Sequence, residues 1–190
     1  MPALRRSRPV LMTEPRSDEE LLQAAGRGDR GAFEVLAQRH HGTAWAVASR
    51  FLNDRHEAED IAQEAFIRLL RAAPAYRPTA PFLHYLRRIV VRLCLDRAAA
   101  RKRWIFALPW DRPDPAPSAE SVMESDGRAG AVRLALDGLP PRQRMAVVLR
   151  HYEDLGYAEI AETMGLTVKA VERLLARARE RLAADLRSVV

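Results

Sequence analysis

Cysteine is almost absent from this 190-residue chain, where Cys94 stands alone. A single thiol excludes an internal disulfide framework and a cysteine-based zinc cluster, and it fits a reducing cytoplasm. Aromatic residues are few, at 6%. No uninterrupted apolar run approaches the roughly 20 residues that span a bilayer, so no membrane insertion is expected. The five histidines have no metal-like company. His40 and His41 are adjacent and would point about 100° apart on a helix. No cofactor is implied. The opening stretch "MPALRRSRPVLM" lacks an apolar segment long enough for a signal peptide. Residues 1–16 therefore read as a disordered arm, with Met12 an alternative start.

The residues that are present favour helix. Hydrophobic side chains make up 48% of the chain, enough for packed cores, and Ala, Leu, Arg and Glu dominate the pattern. The expected fold class is all-α. Lys+Arg number 31 against 25 Asp+Glu, a formal charge of +6 carried mostly by arginine. Guanidinium forks suit phosphates and base edges, although a membrane surface or a solvated face would be equally basic.

Caps and prolines divide the chain. Ser17 and Glu20 in "SDEELL" form a capping box, Asp29 caps "AFEVLAQRHHGTAWAVASRFL", and Asp54 starts "AEDIAQEAFIRLLRAA". "PAYRPTAP" then requires a loop, because three prolines remove amide donors and push their preceding residues out of the α region. A fourth helix is expected from about Phe82 to Arg103, with Phe82, Leu86, Ile89 and Leu93 as its buried stripe. "PWDRPDPAPSAESVMESDG" follows, proline-rich and acidic, and reads as an extended linker. The expected organisation is an arm at 1–16, a helical domain at 17–103, a linker at 104–129 and a second helical domain at 130–190. Two small helical domains are thus joined by a flexible linker.

The second domain contains "AETMGLTVKAVERL", residues 161–174. Ala161 lets a second helix approach closely, Gly165 takes the positive-φ position of the turn, and Val171 packs into the crossing. Thr167 supplies the N-cap oxygen of the second helix. The solvent side of that helix then carries Lys169, Arg173, Arg177, Arg179 and Arg181, as a recognition helix would. A plain αα-hairpin with a solvated basic face is the alternative. Glu172 interrupts the basic face, to accept from a cytosine amino group or to pair with Lys169.

In the first domain, Glu57, Asp60 and Glu64 fall close to one helical face, beside Gln63 and Phe66. A hydrolytic site would need partner groups from other elements, and none is evident. A docking face for a basic protein explains the cluster better.

Together, "DIAQEAFIRL", the basic "LDRAAARKR", the proline-rich linker and "LPPRQRMAVVLRHYEDLGYAEIAETMGLTVKAVERLLARARERL" resemble a bacterial RNA polymerase sigma factor of the extracytoplasmic function type. The resemblance runs from about Ser17 to Leu186. It implies a first domain that binds core RNA polymerase and the minus-ten promoter element, and a second that binds promoter DNA at the minus-thirty-five element. In the family, the helix with the Asp-x-x-Gln-x-x-Phe pattern docks on the polymerase, which points to Asp60, Gln63 and Glu64, with Phe66 in the core. The loop "AYRPTAPF" and the next helix resemble the part that captures an unstacked base. The candidates there are Tyr76, Arg77, His84, Tyr85, Arg87, Arg88 and Arg92. Tyr85 and Arg92 stand where many relatives have tryptophan and asparagine, and Arg92 bears on the minus-ten preference. For the minus-thirty-five element the candidates are Thr167, Lys169, Glu172, Arg173, Arg177 and Arg181. The resemblance further implies an initiation factor rather than an enzyme, cytoplasmic and held by an anti-sigma factor. Two other readings stay open: a sigma-like decoy that sequesters an anti-sigma factor, and a stand-alone helix-turn-helix regulator.

Overall fold

The computed structural model describes residues 16–107 and 127–187, and all regular structure within them is helical. In chain order the helices are α1 (Asp18–Gly26), α2 (Arg30–Leu52), α3 (Arg55–Ala72), α4 (Phe82–Ala107), α5 (Gly127–Asp137), α6 (Pro141–His151), α7 (Tyr157–Met164) and α8 (Val168–Arg187). A 3-10 turn, Ala73–Ala75, follows α3. The helix α4 runs four residues past the expected boundary at 103, and α5 begins at Gly127, inside the expected linker. The rest of that linker, with its acidic residues Asp111, Asp114, Glu120, Glu124 and Asp126, lies outside the described residues, as does the arm up to residue 15.

Local chemistry starts the helices where the sequence places them. Ser17 Oγ accepts from Glu20 N at 3.2 Å, and Ser17 N donates to Glu20 Oε2 at 2.9 Å, a reciprocal capping box. Asp29 Oδ1 accepts from Ala32 N at 3.0 Å, and Asp54 Oδ1 from Glu57 N at 3.0 Å. Each satisfies an amide that the first helical turn leaves without a partner. The helix α4 follows Pro81 and is served from a distance. Glu19, on α1, accepts from Phe82 N at 2.8 Å. That hydrogen bond holds the Glu19 carboxyl below its ordinary range. Its contribution is therefore present above the ordinary glutamate pKa and is lost as pH falls through the depressed value.

The first core fills the space between α2 and its neighbours α1, α3 and α4, with Leu22, Leu36, Phe51, Leu69, Phe82 and Leu86 fully buried. The expected stripe on α4 is present: Phe82, Leu86 and Leu93 are buried, and Ile89 packs against them. One close approach fixes how α1 ends. A Cβ added at Gly26 would lie 2.4 Å from the Ala73 carbonyl oxygen, so only glycine lets α1 meet the 3-10 turn. Gly26→Ala is expected to cost about 1–3 kcal/mol in urea unfolding, because the backbone must shift to make room.

In the second half, α6, α7 and α8 enclose Met145, Leu149, Ile160 and Val171. Its core is continuous with the first: α6 packs on α2 and α4, and α7 packs on α4. The sequence suggested two bodies on a joint; in the structure they touch. Among the described residues no helix is long and apolar enough to cross a membrane.

Candidate nucleic-acid and protein interfaces

The helix α7 ends at Gly165, whose φ of 64° and ψ of 42° place it in the left-handed region that glycine adopts without strain. Gly165 N donates to Glu162 O at 3.2 Å and Leu166 N to Ala161 O at 2.8 Å, closing the turn. Thr167 Oγ1 then accepts from Ala170 N at 3.2 Å and starts α8. Ala161 and Val171 are buried at the crossing, with Met164, Leu166 and Leu174 packed around it. This is a helix-turn-helix built from the residues that the spacing singled out.

The outward face of α8 follows from that packing. Val171, Leu175 and Ala178 face inward. Lys169, Glu172, Arg173, Arg177 and Arg181 are all exposed, as is Thr167. Arg179 turns back, its Nε donating to Leu175 O at 3.3 Å. The first turn thus offers Lys169, Glu172 and Arg173, with Arg177 and Arg181 further along. A helix lying in a major groove presents its N-terminal residues to base edges and its remaining cations to phosphates.

The seven candidates near α4 do not form one surface. Arg77, Arg88 and Arg92 are exposed and Tyr85 is half-buried. Arg77 Nη1 donates to Tyr76 O at 3.1 Å, and Arg92 Nε lies 4.0 Å from Asp96 Oδ2. Tyr76 corrects the sequence reading. It is 8% exposed, inside the core, with its ring 5.4 Å from that of Tyr85. Its face is covered, so it props Tyr85 rather than offering a stacking plane. Burial also pushes its hydroxyl pKa up. His84 and Arg87 face the second half of the chain: Arg87 Nη2 lies 3.3 Å from Glu153 Oε2, and His84 Nε2 lies 3.5 Å from Glu159 Oε1.

On α3, Asp60 and Gln63 are exposed and Glu64 is half-buried, while Ala58, Ile61, Ala62, Ala65, Phe66 and Leu69 face the core. Gln63 Nε2 donates to Glu59 Oε1 at 3.0 Å, and Arg68 Nε to Glu64 Oε1 at 2.8 Å. Glu57 leaves the expected cluster. Its carboxylate lies 3.3 Å from Arg97 on α4, an inter-helix pair rather than part of an outward face. Two residues passed over in the sequence join the face instead: Ile67, 45% exposed, and Leu70, 46% exposed. Both lie on the Asp60–Glu64 side by helical spacing. The signal was available, because apolar residues outnumbered what one core stripe can bury.

Cys94 is fully buried on α4, and desolvation pushes its thiol up to about 12. It is protonated packing at neutral pH, not a reactive thiolate.

An all-α chain ending in a helix-turn-helix with an exposed arginine face belongs among DNA-binding proteins. Comparison with known families narrows that class. The family described as Sigma-70 region 2 matches residues 36–104, and Sigma-70, region 4 matches residues 129–182. The chain is 32% identical over 184 residues to the RNA polymerase sigma-H factor of Pseudomonas aeruginosa, covering 89% of this chain and 93% of that protein. It is 37% identical over 168 residues to the ECF RNA polymerase sigma factor SigM of Mycobacterium tuberculosis, covering 88% of this chain and 84% of that protein. With SigE of Mycolicibacterium smegmatis the identity is 38% over 163 residues, covering 82% of this chain; the chain spans only 63% of that relative's length. Among solved structures, CnrH in complex with the cytosolic domain of CnrY is similar with a TM-score of 0.64 and 28% identity, covering 91% of this chain and 99% of that one. RpoE in complex with the anti-sigma factor NepR from Bartonella quintana has the same fold, with a TM-score of 0.62 at 18% identity, covering 82% of this chain and 96% of that one. The chain belongs to the extracytoplasmic function sigma factors of the sigma-70 family.

Proposed function

We propose that the chain is an alternative sigma factor: it binds core RNA polymerase, brings it to promoters and leaves the chemistry to the polymerase. It acts in the cytoplasm and is not itself an enzyme. The observation that carries this reading is the exposed basic face of α8 on a helix-turn-helix, within a chain that matches both sigma-70 regions.

The roles divide by surface. In the domain formed by residues 130–190, Lys169 and Arg173 contact base edges of the minus-thirty-five element. Thr167 and Glu172 lie beside them, and Arg177 and Arg181 hold phosphates. In the domain at 17–103, Arg77, Tyr85, Arg88 and Arg92 meet the minus-ten element, with Tyr85 positioned by Tyr76 against an unstacked base. His84 and Arg87 join them once the second half moves away. The face of α3 carrying Asp60, Gln63 and Glu64 docks on core polymerase. An anti-sigma factor controls the protein; the similarity to CnrH, solved with the cytosolic domain of CnrY, supports a protein partner of this kind.

The docking face can be tested alone. Asp60→Ala is expected to weaken binding to core polymerase in a direct titration, with the helical content of the free protein unchanged because Asp60 is exposed. Equal affinity for the two proteins would remove Asp60 from the interface.

A further inference from the structure

The loop between the 3-10 turn and α4 begins at Tyr76 and leads to Tyr85, yet it does little to hold itself. Pro78 and Pro81 have no amide to donate. Its own backbone bonds are few: Tyr76 N donates to Ala73 O at 3.1 Å, and Thr79 N to Arg77 O at 2.9 Å. The Tyr76 hydroxyl is buried and has no hydrogen-bond partner among the described residues. Its ring is therefore placed by packing alone, and the Tyr85 ring rests against it at 5.4 Å.

What holds the loop comes from α1, and it acts at both ends. At the start, Gly26 leaves the Ala73 carbonyl the room that any Cβ would take. At the far end, Glu19 Oε1 accepts from Phe82 N at 2.8 Å, the first amide of α4. Glu19 also stands near Tyr76: burial does most to raise the Tyr76 hydroxyl pKa, and the Glu19 carboxylate adds to it. The helix α1 is itself anchored on α2 through the preceding residue. Asp18 Oδ1 accepts from Arg39 Nη1 at 3.0 Å, and its Oδ2 lies 2.7 Å from His40 Nε2. The His40 ring in turn lies 5.0 Å from the Phe82 ring. Asp18 and Glu19 thus tie α2, α1 and the start of α4 into one frame, with the loop strung across it. Neither they nor His40 are among the residues assigned to DNA or to polymerase.

We propose that Glu19 is a positioning residue for minus-ten recognition: by capping α4 across the loop it sets where Tyr76 and Tyr85 stand, and so shapes the pocket that takes the unstacked base. Glu19 itself touches no DNA. It acts through Phe82 N, because an amide left without an acceptor lets the first turn of a helix fray, and the first turn of α4 contains His84 and Tyr85. A frayed turn moves the Tyr85 ring off Tyr76 and leaves the base without its stacking plane. The residue that governs this pocket therefore lies 63 positions before the amide it serves. This inference rests on the reading that Tyr85 receives an unstacked base.

The test uses the full chain bound to core polymerase and a fluorescent single strand with the non-template minus-ten sequence of a promoter that run-off transcription identifies. Copies of that strand, each with one abasic position, measure what each base contributes to affinity. With the wild-type protein, one position is expected to stand out. Glu19→Ala is expected to lower the contribution of that base by about 3- to 30-fold, the factor that a lost helix cap is worth, and to bind the strand abasic at that position as the wild type does. Glu19→Gln keeps an oxygen that accepts from Phe82 N and is expected to restore most of the contribution. Glu20→Ala is the control for a general loss of stability: it breaks the capping box of α1, leaves Phe82 N its partner, and is expected to keep the contribution of the base. Circular dichroism and titration against core polymerase check that each variant is folded. A base contribution unchanged by Glu19→Ala would overturn the proposal. Equal losses on the intact and abasic strands, or the same loss with Glu20→Ala, would overturn it too, by making Glu19 a purely structural residue. Failure of the underlying reading shows separately, as a wild-type complex that binds every abasic strand as tightly as the intact one.

Discussion

Arg173→Ala is expected to reduce initiation at a promoter with an intact minus-thirty-five element by roughly 5- to 150-fold relative to the same promoter carrying a scrambled element, the range given by about 1–3 kcal/mol of lost base discrimination. The reason is positional. Arg173 lies in the first turns of α8, exposed, while Val171 and Leu175 beside it are buried and fix the helix's rotation. The side chain carries no part of the core, so its loss leaves the helix-turn-helix standing. Arg181→Ala is the internal control. Further along the same face, it is expected to weaken binding to both promoters alike and to lower the salt dependence by about one counterion. Run-off transcription on the two templates, at two salt concentrations, reads both effects. An Arg173→Ala protein that loses activity equally on both templates would make this residue a phosphate contact.

Ile67→Asp is expected to lower affinity for core polymerase by about 30-fold, the equivalent of about 2 kcal/mol for an apolar anchor at the centre of an interface. Ile67 and Leu70 are large, apolar and nearly half exposed on the side of α3 that carries Asp60, Gln63 and Glu64. A charge placed there costs little in the free protein, where water reaches it, and much in a complex, where it is desolvated without a partner. The expected pattern is an unchanged unfolding midpoint together with a weakened titration curve against core polymerase. An unchanged titration would confine docking to the polar residues of the face.

The parts of this structure that could be read from the sequence are those set by neighbours along the chain. Ser17, Asp29, Asp54 and Thr167 cap the helices that follow them because a side-chain oxygen reaches an amide three residues on. Gly165 ends α7 with a positive φ for a reason internal to the residue. The resemblance gathered these pieces into one family, and the comparisons place the chain there.

The parts that could not be read join residues far apart in the chain. Glu19 serves Phe82, a cap with no local signature. Glu57 stands three residues after the Asp54 cap, yet its carboxylate lies against Arg97, a guanidinium that only the packing of α4 on α3 brings within reach. Tyr76 sits in a proline-rich loop and looked exposed, but the loop folds over the core and buries it. His84 and Arg87 are DNA candidates through the resemblance, and nothing along the chain near them shows that Glu159 and Glu153 lie beside them in the fold. Each case turns on tertiary geometry rather than on propensity.

The central claim is that this chain gives core RNA polymerase a promoter. It is tested most directly by run-off transcription with purified core polymerase, with and without the protein, on a pool of fragments from its own genome. Discrete transcripts that start only when the protein is present are the expected result. Binding to core polymerase with no new starts would contradict the claim in favour of a decoy, and no binding at all would leave a stand-alone DNA-binding regulator as the better account.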